Sequence, residues 1–456
     1  MDVSGGPLGP LKKFEDAVAS CNRCGFCTSY CPTYNATGNE AHSPRGRNQL
    51  LRALLEGKVT DPSQMKESFD TCLLCGECTS VCFSEVPTAR LMMEARNYLN
   101  RTTGVPWPLR FFLGVVLPRP LLFRRLLRAA FIAKNLGLST ALRKMGLLKR
   151  ISPELDIADG LLASAPVQFL LEYPVAKRSR EVTISELSHS KALKEEKLAA
   201  ARVQANPPAR QKVAYMPVCG SQYIRPSIGV ATLRLLERMK LELVIPDLLC
   251  CGLPAASYGV SDSVRSLAKE NIARLERGHY DTILVDDSSC AAHLKDLPAA
   301  FQDDPSWLKR AHDVSQKVRD LSTTFLQRGL KEHLKLSPWT GGKVAYHDPC
   351  KAQYAQRLTN PPRELLGSIP RLDLVVVTDA DQCCGGAGTY SIAHPEMSRP
   401  VLAAKVKNIL SSGCSLLVTS SASCQVQVAS GLRAEKSNIE VLHLSEFLLR
   451  ALEKRR

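Results

Sequence analysis

Cysteine is the residue type with the most evident chemistry in this sequence. The chain has 17 cysteines in 456 residues, and eight of them form two runs with one spacing. The first run is Cys21-x2-Cys24-x2-Cys27-x3-Cys31, and the second is Cys72-x2-Cys75-x2-Cys78-x3-Cys82. Because a cytosolic chain keeps its thiols reduced, runs as dense as these predict metal or redox chemistry rather than disulfides.

The spacing of two, two and three residues is typical of bacterial dicluster ferredoxins, in which three close cysteines hold one 4Fe–4S cluster and the fourth reaches the other. It predicts that cluster 1 binds Cys21, Cys24, Cys27 and Cys82, and that cluster 2 binds Cys72, Cys75, Cys78 and Cys31. Structural zinc needs only two Cys-x2-Cys pairs, so four cysteines per run favour iron–sulfur clusters. Phe83 stands where a proline is usual, which weakens the local turn but removes no ligand.

Eight further cysteines lie in a tandem repeat beyond residue 210. Residues 213–219 match 344–350 at an offset of 131, the two Cys-Cys-Gly motifs match at 133, and the last cysteines match at 134. The tentative ligands are therefore Cys219, Cys250, Cys251 and Cys290 in the first repeat and Cys350, Cys383, Cys384 and Cys424 in the second. A buried structural pair would explain one Cys-Cys-Gly motif, whereas two in register favour metal or redox chemistry. Cys414 is left over and is predicted to be a buried thiol.

The repeats require elements that bring distant cysteines together. Helical periodicity covers residues 224–240, a short apolar strand follows at 241–245, and Ser261 is predicted to cap a helix that runs to residue 277. Each repeat thus reads as an α/β unit whose cysteines follow strand ends or lie in loops, where they can converge on one site.

Charge gives a second clue. Lys and Arg total 60 against 44 Asp and Glu, a formal net charge of +16 that suggests an acidic partner or surface. Residues 105–150 hold ten Lys or Arg and no Asp or Glu, interleaved with Leu and Phe and broken by Pro118 and Pro120. This segment either lies on an anionic membrane surface or packs as a helical linker, and both interpretations stay open. Nucleic acid is not expected, because no recognition motif accompanies the charge.

The order of motifs resembles one known family. The chain carries Cys24-Gly25-Phe26-Cys27-Thr28, Cys31-Pro32-Thr33-Tyr34, Pro44-Arg45-Gly46-Arg47 and Cys384-Gly385-Gly386-Ala387-Gly388-Thr389-Tyr390. It resembles the iron–sulfur subunit of glycolate oxidase, within the wider group that has two cysteine-rich CCG domains and includes heterodisulfide reductase subunits. The implied fold is multidomain: a mainly α dicluster ferredoxin-like domain (1–104), a basic helical linker (105–211), and two α/β CCG domains in tandem (212–338 and 339–456).

The resemblance implies an oxidoreductase component without catalytic residues of its own. Such a chain passes electrons from a partner FAD-containing 2-hydroxy-acid dehydrogenase subunit to a quinone or other acceptor. Two 4Fe–4S clusters are expected, with further clusters in the CCG domains left open. No FAD or NAD is expected, because Gly386-Ala387-Gly388 lacks the third glycine of a dinucleotide fingerprint. With no 18-residue apolar stretch and no signal-peptide layout, we expect a cytoplasmic protein, with peripheral attachment to the inner face of the cell membrane left open.

The alternative places chemistry at the CCG sites, as in heterodisulfide reductase or a D-lactate dehydrogenase-type iron–sulfur oxidoreductase. In heterodisulfide reductase the CCG unit ends in Cys-x-x-Cys. Here the endings are Cys290-Ala-Ala-His293 and Cys424-Gln-Val-Gln427, which counts against that alternative. His293 is either a replacement ligand or a polar surface group. The motif that begins at His347 and ends at Cys350 is interpreted as a ligand-bearing loop rather than a Cys/His nucleophile.

Overall fold

The computed structural model describes residues 8–179, 212–239, 241–330 and 336–453. Of the linker predicted at 105–211, residues 180–211 therefore lie outside the described residues. The first unit is helical, the middle segment is also helical, and two α/β units follow.

The N-terminal unit is built from short helices around two cysteine loops. Its helices are Gly9–Lys12, Glu15–Ala19, Pro32–Thr37, Pro44–Leu55, Lys66–Asp70, Glu77–Ser80 and Thr88–Thr103. Its core contains Leu51, Phe69, Leu91 and Leu99, all fully buried. The two longest helices bury one face each and hold the loops between them.

The two α/β units share one topology. Strands β1 (Lys212–Met216), β2 (Glu242–Val244), β3 (Thr282–Val285) and β4 (Val318–Asp320) form a parallel sheet in the order β2-β1-β3-β4. Strands β5 (Val344–His347), β6 (Leu374–Val375), β7 (Leu416–Thr419) and β8 (Glu440–His443) repeat it as β6-β5-β7-β8. The central strands are apolar and buried on both faces, as parallel sheets require.

Helices cover both sheets. Those of the first unit are Pro226–Arg238, Leu253–Ser257, Ser261–Gly278, Ser288–Lys295, Pro305–Ser315 and Leu321–Gln327. Those of the second are Asn360–Gly367, Tyr390–Ala393, Pro395–Ser411, Ala422–Ala434 and Leu444–Glu453. The helix and the strand expected after residue 224 are present, but both are shorter than predicted. The expected cap is wrong: Ser261 is the first helical residue, and its hydroxyl donates to Asn97 Oδ1 of the N-terminal unit at 3.0 Å.

The two sheets face each other at the ends of their central strands. Ser288 Oγ lies 2.8 Å from Ser420 Oγ, and Asp287 Oδ2 accepts a hydrogen bond from the backbone nitrogen of Ala422 at 2.8 Å. These residues follow β3 and β7, the strands that lead to Cys290 and Cys424. Because ligand sites of parallel sheets gather at the carboxyl ends of strands, this arrangement brings the cysteine loops of both units to one region.

The basic segment packs one face against the first α/β unit. Its helices are Trp107–Phe111, Pro120–Asn135, Leu138–Lys144 and Leu147–Ile151. Phe123 packs edge-on against Tyr223 of that unit at 5.3 Å between ring centroids. Phe131 lies 6.1 Å from Phe169 of the linker, which in turn packs edge-on against Tyr223 at 5.2 Å. The opposite stripe of the helix Pro120–Asn135 leaves Leu121 and Ile132 in solvent. No helix in the described part of the chain is long and apolar enough to cross a membrane.

Candidate metal centres

The first cysteine set gathers around Cys27. Burial raises the pKa of Cys27 to about 11, and the neighbouring thiols that raise it further are Cys21, Cys82 and Cys24. These are the four residues assigned to cluster 1. Cys82 comes from the second run. Its position near Cys27 supports the expected exchange, in which each run supplies the fourth ligand of the other cluster.

The second set surrounds a cavity of about 20 Å³. Cys31, Cys72, Cys75 and Cys78 all line it. Burial raises the pKa of Cys78 well above its usual range, and Cys72 and then Cys31 raise it further. The cavity thus brings together the four residues assigned to cluster 2.

The two loops use the same backbone device. The residue after the second cysteine of each run is a glycine with positive φ: Gly25 at 79° and Gly76 at 90°. A Cβ at Gly25 would also lie 2.6 Å from Arg45 Nη1, so a larger residue would displace that side chain. Glycine therefore follows the second cysteine because the tight turn, which directs successive thiols to one point, requires a positive φ there.

A buried arginine supports the second set, and sequence reasoning did not assign it a role. Arg47 is 1% exposed, donates to the carbonyls of Ser68 and His42 at 2.7 and 2.6 Å, and lies 4.0 Å from Cys31 Sγ. It fixes the loop around Cys31 and supplies positive charge beside a predicted thiolate ligand. The motif Pro44-Arg45-Gly46-Arg47 was the sequence feature from which a role for Arg47 could have been predicted.

The donor chemistry of both sets fits iron–sulfur clusters. Thiols packed together and shielded from water resist ionisation, because each thiolate would repel its neighbours in a low-dielectric site. A thiophilic metal reverses that balance by coordinating the thiolates directly. The 2-2-3 spacing and the convergence of four sulfurs per site match 4Fe–4S ligation.

The second cysteine run lies against the second α/β unit. Among the neighbouring thiols, Cys350 contributes most to raising the pKa of Cys75, which burial already raises well above its usual range. Cys75, Cys383 and Cys350 share one apolar cluster. The hydroxyl of Tyr390 also donates to the carbonyl of Thr71 at 2.6 Å. Two predicted centres, one in each unit, are therefore direct neighbours.

The second α/β unit brings together its four predicted cysteines and one histidine. Cys350 Sγ lies 4.0 Å from Cys383 Sγ. The donor atoms of His347, Cys384 and Cys424, all buried, lie within 4.8 Å of one another. Burial, with the nearby Lys405 cation, lowers the pKa of His347 to about 3, so its imidazole is neutral. Sequence reasoning placed His347 in a ligand-bearing loop but did not name it as a ligand; it ends β5, where the first repeat has Met216.

The first α/β unit gathers its cysteines differently. Cys251 Sγ lies 3.2 Å from Cys290 Sγ, and Cys219 and Cys250 line a neighbouring pocket that Leu117 and Phe123 of the basic segment cover. Burial and the adjacent Cys250 raise the pKa of Cys219 to about 12. The interpretation of His293 as a surface group is wrong, since its Nε2 is shielded from solvent and has no hydrogen-bond partner in the described ranges.

An aromatic patch lies on the surface beside the first cysteine set. Phe26 packs against Tyr30 at 5.6 Å and against Phe83 at 5.4 Å between ring centroids, and Phe83 is 87% exposed. Cys24, two residues before Phe26, is itself exposed. We call Phe26, Tyr30 and Phe83 the aromatic patch.

Family models match each of these regions. A 4Fe-4S dicluster domain matches residues 17–86, and a cysteine-rich CCG domain matches residues 213–295 and 344–429. Fold and sites together define the class: an iron–sulfur protein that joins a dicluster ferredoxin unit to two cysteine-rich CCG units on one chain.

Curated relatives narrow that class. The chain is 30% identical over 451 residues to the probable glycolate oxidase iron-sulfur subunit of Bacillus subtilis (strain 168), covering 96% of this chain and 94% of that protein. It is 30% identical over 454 residues to the glycolate oxidase iron-sulfur subunit of Escherichia coli (strain K12), covering 96% and 95%. Lactate utilization protein A of Exiguobacterium sp. (strain ATCC BAA-1283 / AT1b) is 32% identical over 237 residues, covering 52% of this chain and 96% of that protein. The chain belongs to the family of glycolate oxidase iron–sulfur subunits.

Proposed function

We propose that this chain is the electron-transfer subunit of an oxidoreductase complex that oxidises glycolate or a similar 2-hydroxy acid. The oxidation takes place on a separate FAD-containing subunit, and the electrons continue to a quinone or other acceptor. This chain carries two 4Fe–4S clusters, with further metal in the CCG units, and neither FAD nor NAD.

One observation carries the proposal. The predicted cysteine sites adjoin one another in turn: Cys27 of the first set, which includes exposed Cys24, is close enough to Cys78 of the second set to raise its pKa. Cys75 of the second set adjoins Cys350 and Cys383 of the second CCG unit, which extends the row into the fold. Iron–sulfur clusters, when bound, accept and release one electron at a time. A row with one end at the surface and the other inside the fold suits electron transfer better than isolated structural sites.

The aromatic patch supports the surface end of the row as the entry point. Exposed aromatic side chains are enriched in the centres of protein interfaces. The patch lies directly over the loop of Cys27, so a flavoprotein bound there would approach the first cysteine set closely. We therefore assign the patch to the contact with the FAD-containing subunit.

The exposed stripe of the basic segment supports peripheral contact with a membrane. Leu121, Ile132 and Leu136 are exposed on the helix Pro120–Asn135 and just beyond it, and Arg125 lies in the same stripe. Apolar and cationic side chains on one face suit the surface of an anionic bilayer. A quinone acceptor lies in that bilayer, so contact with the membrane would bring this chain close to its electron acceptor.

The complex is tested by reconstitution. The chain is purified anaerobically, alone and together with its FAD-containing partner, and glycolate, D-lactate and L-lactate are offered with a quinone analogue. We expect quinone reduction only when both chains are present, at least eight irons per chain, and no flavin on this chain alone. Stoichiometric FAD on the isolated chain, or glycolate oxidation by it alone, would overturn the proposal.

The heterodisulfide-reductase-like alternative is separated by one further assay. The isolated chain is supplied with a reduced dye and candidate disulfides. We expect no turnover, because the repeated motif of each CCG unit supplies four cysteines and lacks the last cysteine of a Cys-x-x-Cys ending. Disulfide cleavage without a flavoprotein would favour the alternative.

A further inference from the structure

The second CCG unit contains a buried histidine that has the environment of a metal ligand. His347 is 1% exposed and ends β5, at the carboxyl edge of the sheet. Its Nδ1 lies 3.0 Å from the carbonyl oxygen of Ala380. A carbonyl oxygen can only accept, so Nδ1 carries the hydrogen and Nε2 carries the lone pair.

That lone pair is left without a protein donor. Among the residues that the structure describes, Nε2 of His347 has no hydrogen-bond partner although it is shielded from solvent. A buried polar atom left unpaired is destabilising, so such atoms call for an explanation. A histidine whose Nδ1 is fixed by a backbone carbonyl, with Nε2 free, is the usual arrangement of an imidazole metal ligand.

Two thiols lie where a shared metal would need them. A ligand atom of His347 and the sulfurs of Cys384 and Cys424 lie within 4.8 Å of one another, and all three residues are buried. These residues come from the end of β5, from the Cys-Cys-Gly loop and from the first turn of the helix Ala422–Ala434, so three separate segments converge on one point. Imidazole and thiolate together suit zinc or iron.

The residue at the expected fifth position is already engaged. Gln427 occupies the place of the last cysteine in a Cys-x-x-Cys ending, but its Nε2 donates to Ser398 Oγ at 3.0 Å. The first unit has the reverse arrangement, with Met216 in the place of His347 and His293 in the place of Gln427. At these motif positions each unit thus offers four cysteines and one imidazole, and the imidazole comes from a different element in each unit.

We propose that His347 binds the metal of the second CCG unit through Nε2, together with Cys384 and Cys424, in a mixed imidazole–thiolate centre. The ion is zinc or the iron of an iron–sulfur centre. This inference rests on the proposed metal occupancy of the CCG units, but it depends neither on the substrate nor on the flavoprotein.

The test compares metal content in full-length variants purified anaerobically. His347→Leu replaces the imidazole with an apolar side chain of similar volume that offers no ligand atom. We expect His347→Leu to lose the same metal equivalents as Cys384→Ser, as measured by iron, zinc and sulfide analysis. The matched control is Gln427→Leu, which should retain them. Thermal unfolding of each variant checks that the fold persists.

Ligand replacement gives a second readout. His347→Cys should retain the metal and change its spectrum, whereas X-ray absorption at the iron and zinc edges identifies which ion gains sulfur and loses nitrogen. Full metal retention with an unchanged spectrum in His347→Leu would overturn the proposal, as would full retention in Cys384→Ser. If the wild-type complex contains this metal but does not reduce quinone with glycolate, the proposed function is wrong and this inference still stands.

Discussion

Lys351 Nζ donates to the carbonyl oxygen of Leu74 at 2.6 Å, across 277 residues of sequence. Leu74 precedes Cys75 in the second cysteine run, and Lys351 follows Cys350 in the second CCG unit. A single hydrogen bond therefore joins the loops of two predicted metal centres. The ammonium group also lies near enough to Cys350 to lower the pKa of that thiol, against the larger effects of the Cys383 hydrogen bond and burial, which raise it.

Replacing Lys351 with Met is expected to lower the reduction potential of cluster 2, because the ammonium group lies on the carbonyl of Leu74, next to the predicted ligand Cys75. The cation stabilises the more negative, reduced form, so its loss disfavours reduction. The measurement is an EPR-monitored redox titration of the anaerobic protein. Lys407→Met, an exposed lysine on the helix Pro395–Ser411, is the control and should leave the potential unchanged. An unshifted potential in Lys351→Met would contradict this role for the cation.

Cysteine replacements test the two ferredoxin-type sets. Cys24→Ser should lose the EPR signal of one cluster and Cys75→Ser that of the other, each with up to four irons, because a missing thiolate opens the cluster to loss. Cys414→Ser is the matched control, because Cys414 is buried in the core of the second CCG unit, away from these sets. If both Cys24→Ser and Cys75→Ser keep the full iron content, the assignment of ligands is wrong.

Much of this arrangement follows from local sequence. The 2-2-3 spacing predicts two clusters with exchanged fourth ligands; Cys82 is among the thiols near Cys27, and the exchange itself stays a prediction. The offset of 131–134 residues predicts two α/β units of one design, and the two parallel sheets confirm it. Both signals are local because loops and strands are specified by nearby residues.

The contacts between units could not be predicted in that way. The two repeats present similar cysteines, so spacing alone does not say which of them adjoins Cys75. That choice depends on side chains such as Lys351 and Tyr390, whose partners are distant in sequence. His347 escaped assignment for the same reason: its significance lies in sulfurs that reach it from Cys384 and Cys424 through the fold.

A charge placed in the aromatic patch should weaken binding of the flavoprotein. Phe83→Glu puts a carboxylate into a surface that we assign to the partner, where it would be desolvated without a counter-charge. We expect at least a tenfold weaker affinity for the FAD-containing subunit, measured by titration of the assembled complex, with iron content unchanged. Val376→Glu, at a residue that is equally exposed on the second CCG unit, serves as control. Equal affinities for both variants would place the partner elsewhere.

Stability should depend on pH through Asp286. Burial raises the pKa of this carboxyl to about 7, although Tyr215 and Ser221 donate hydrogen bonds to it. The folded protein therefore holds a proton that the unfolded chain releases near pH 4. Stability from this group is complete below pH 4 and falls as pH rises to 7, by at most about 1.4 kcal/mol per pH unit.

Asp286→Asn should remove that slope. Thermal unfolding at pH 5 and pH 8 is the measurement, and the midpoint of the variant should change less between the two than that of the wild type. Asp313→Asn removes an exposed carboxylate and is the control. A variant with the slope of the wild type would show that another group titrates in this range.

The last prediction concerns the exposed stripe of the basic segment. Arg128 is not a suitable target, because it pairs with Glu172 and lies over the ring of Phe169 at 4.7 Å, so its loss would disturb packing. Arg124 and Arg125 are exposed on the same helix. Each cation near an anionic bilayer contributes about 1 kcal/mol. Removing both should weaken binding about 30-fold, and reversing them should weaken it further.

The measurement is co-sedimentation with vesicles that contain anionic phospholipid, at two ionic strengths. The wild type should sediment at low salt and less at high salt, because the attraction is screened. The double variant Arg124→Glu/Arg125→Glu should remain in solution, whereas Arg277→Glu/Lys317→Glu, which makes the same charge change on the first CCG unit, should sediment like the wild type. If both double variants sediment equally, the net charge of the whole protein, rather than the charges of this helix, drives binding to the vesicles. If the wild type does not sediment at all, the exposed stripe serves as a contact with another subunit, because the inner face of the helix is already packed on Tyr223 and Phe169.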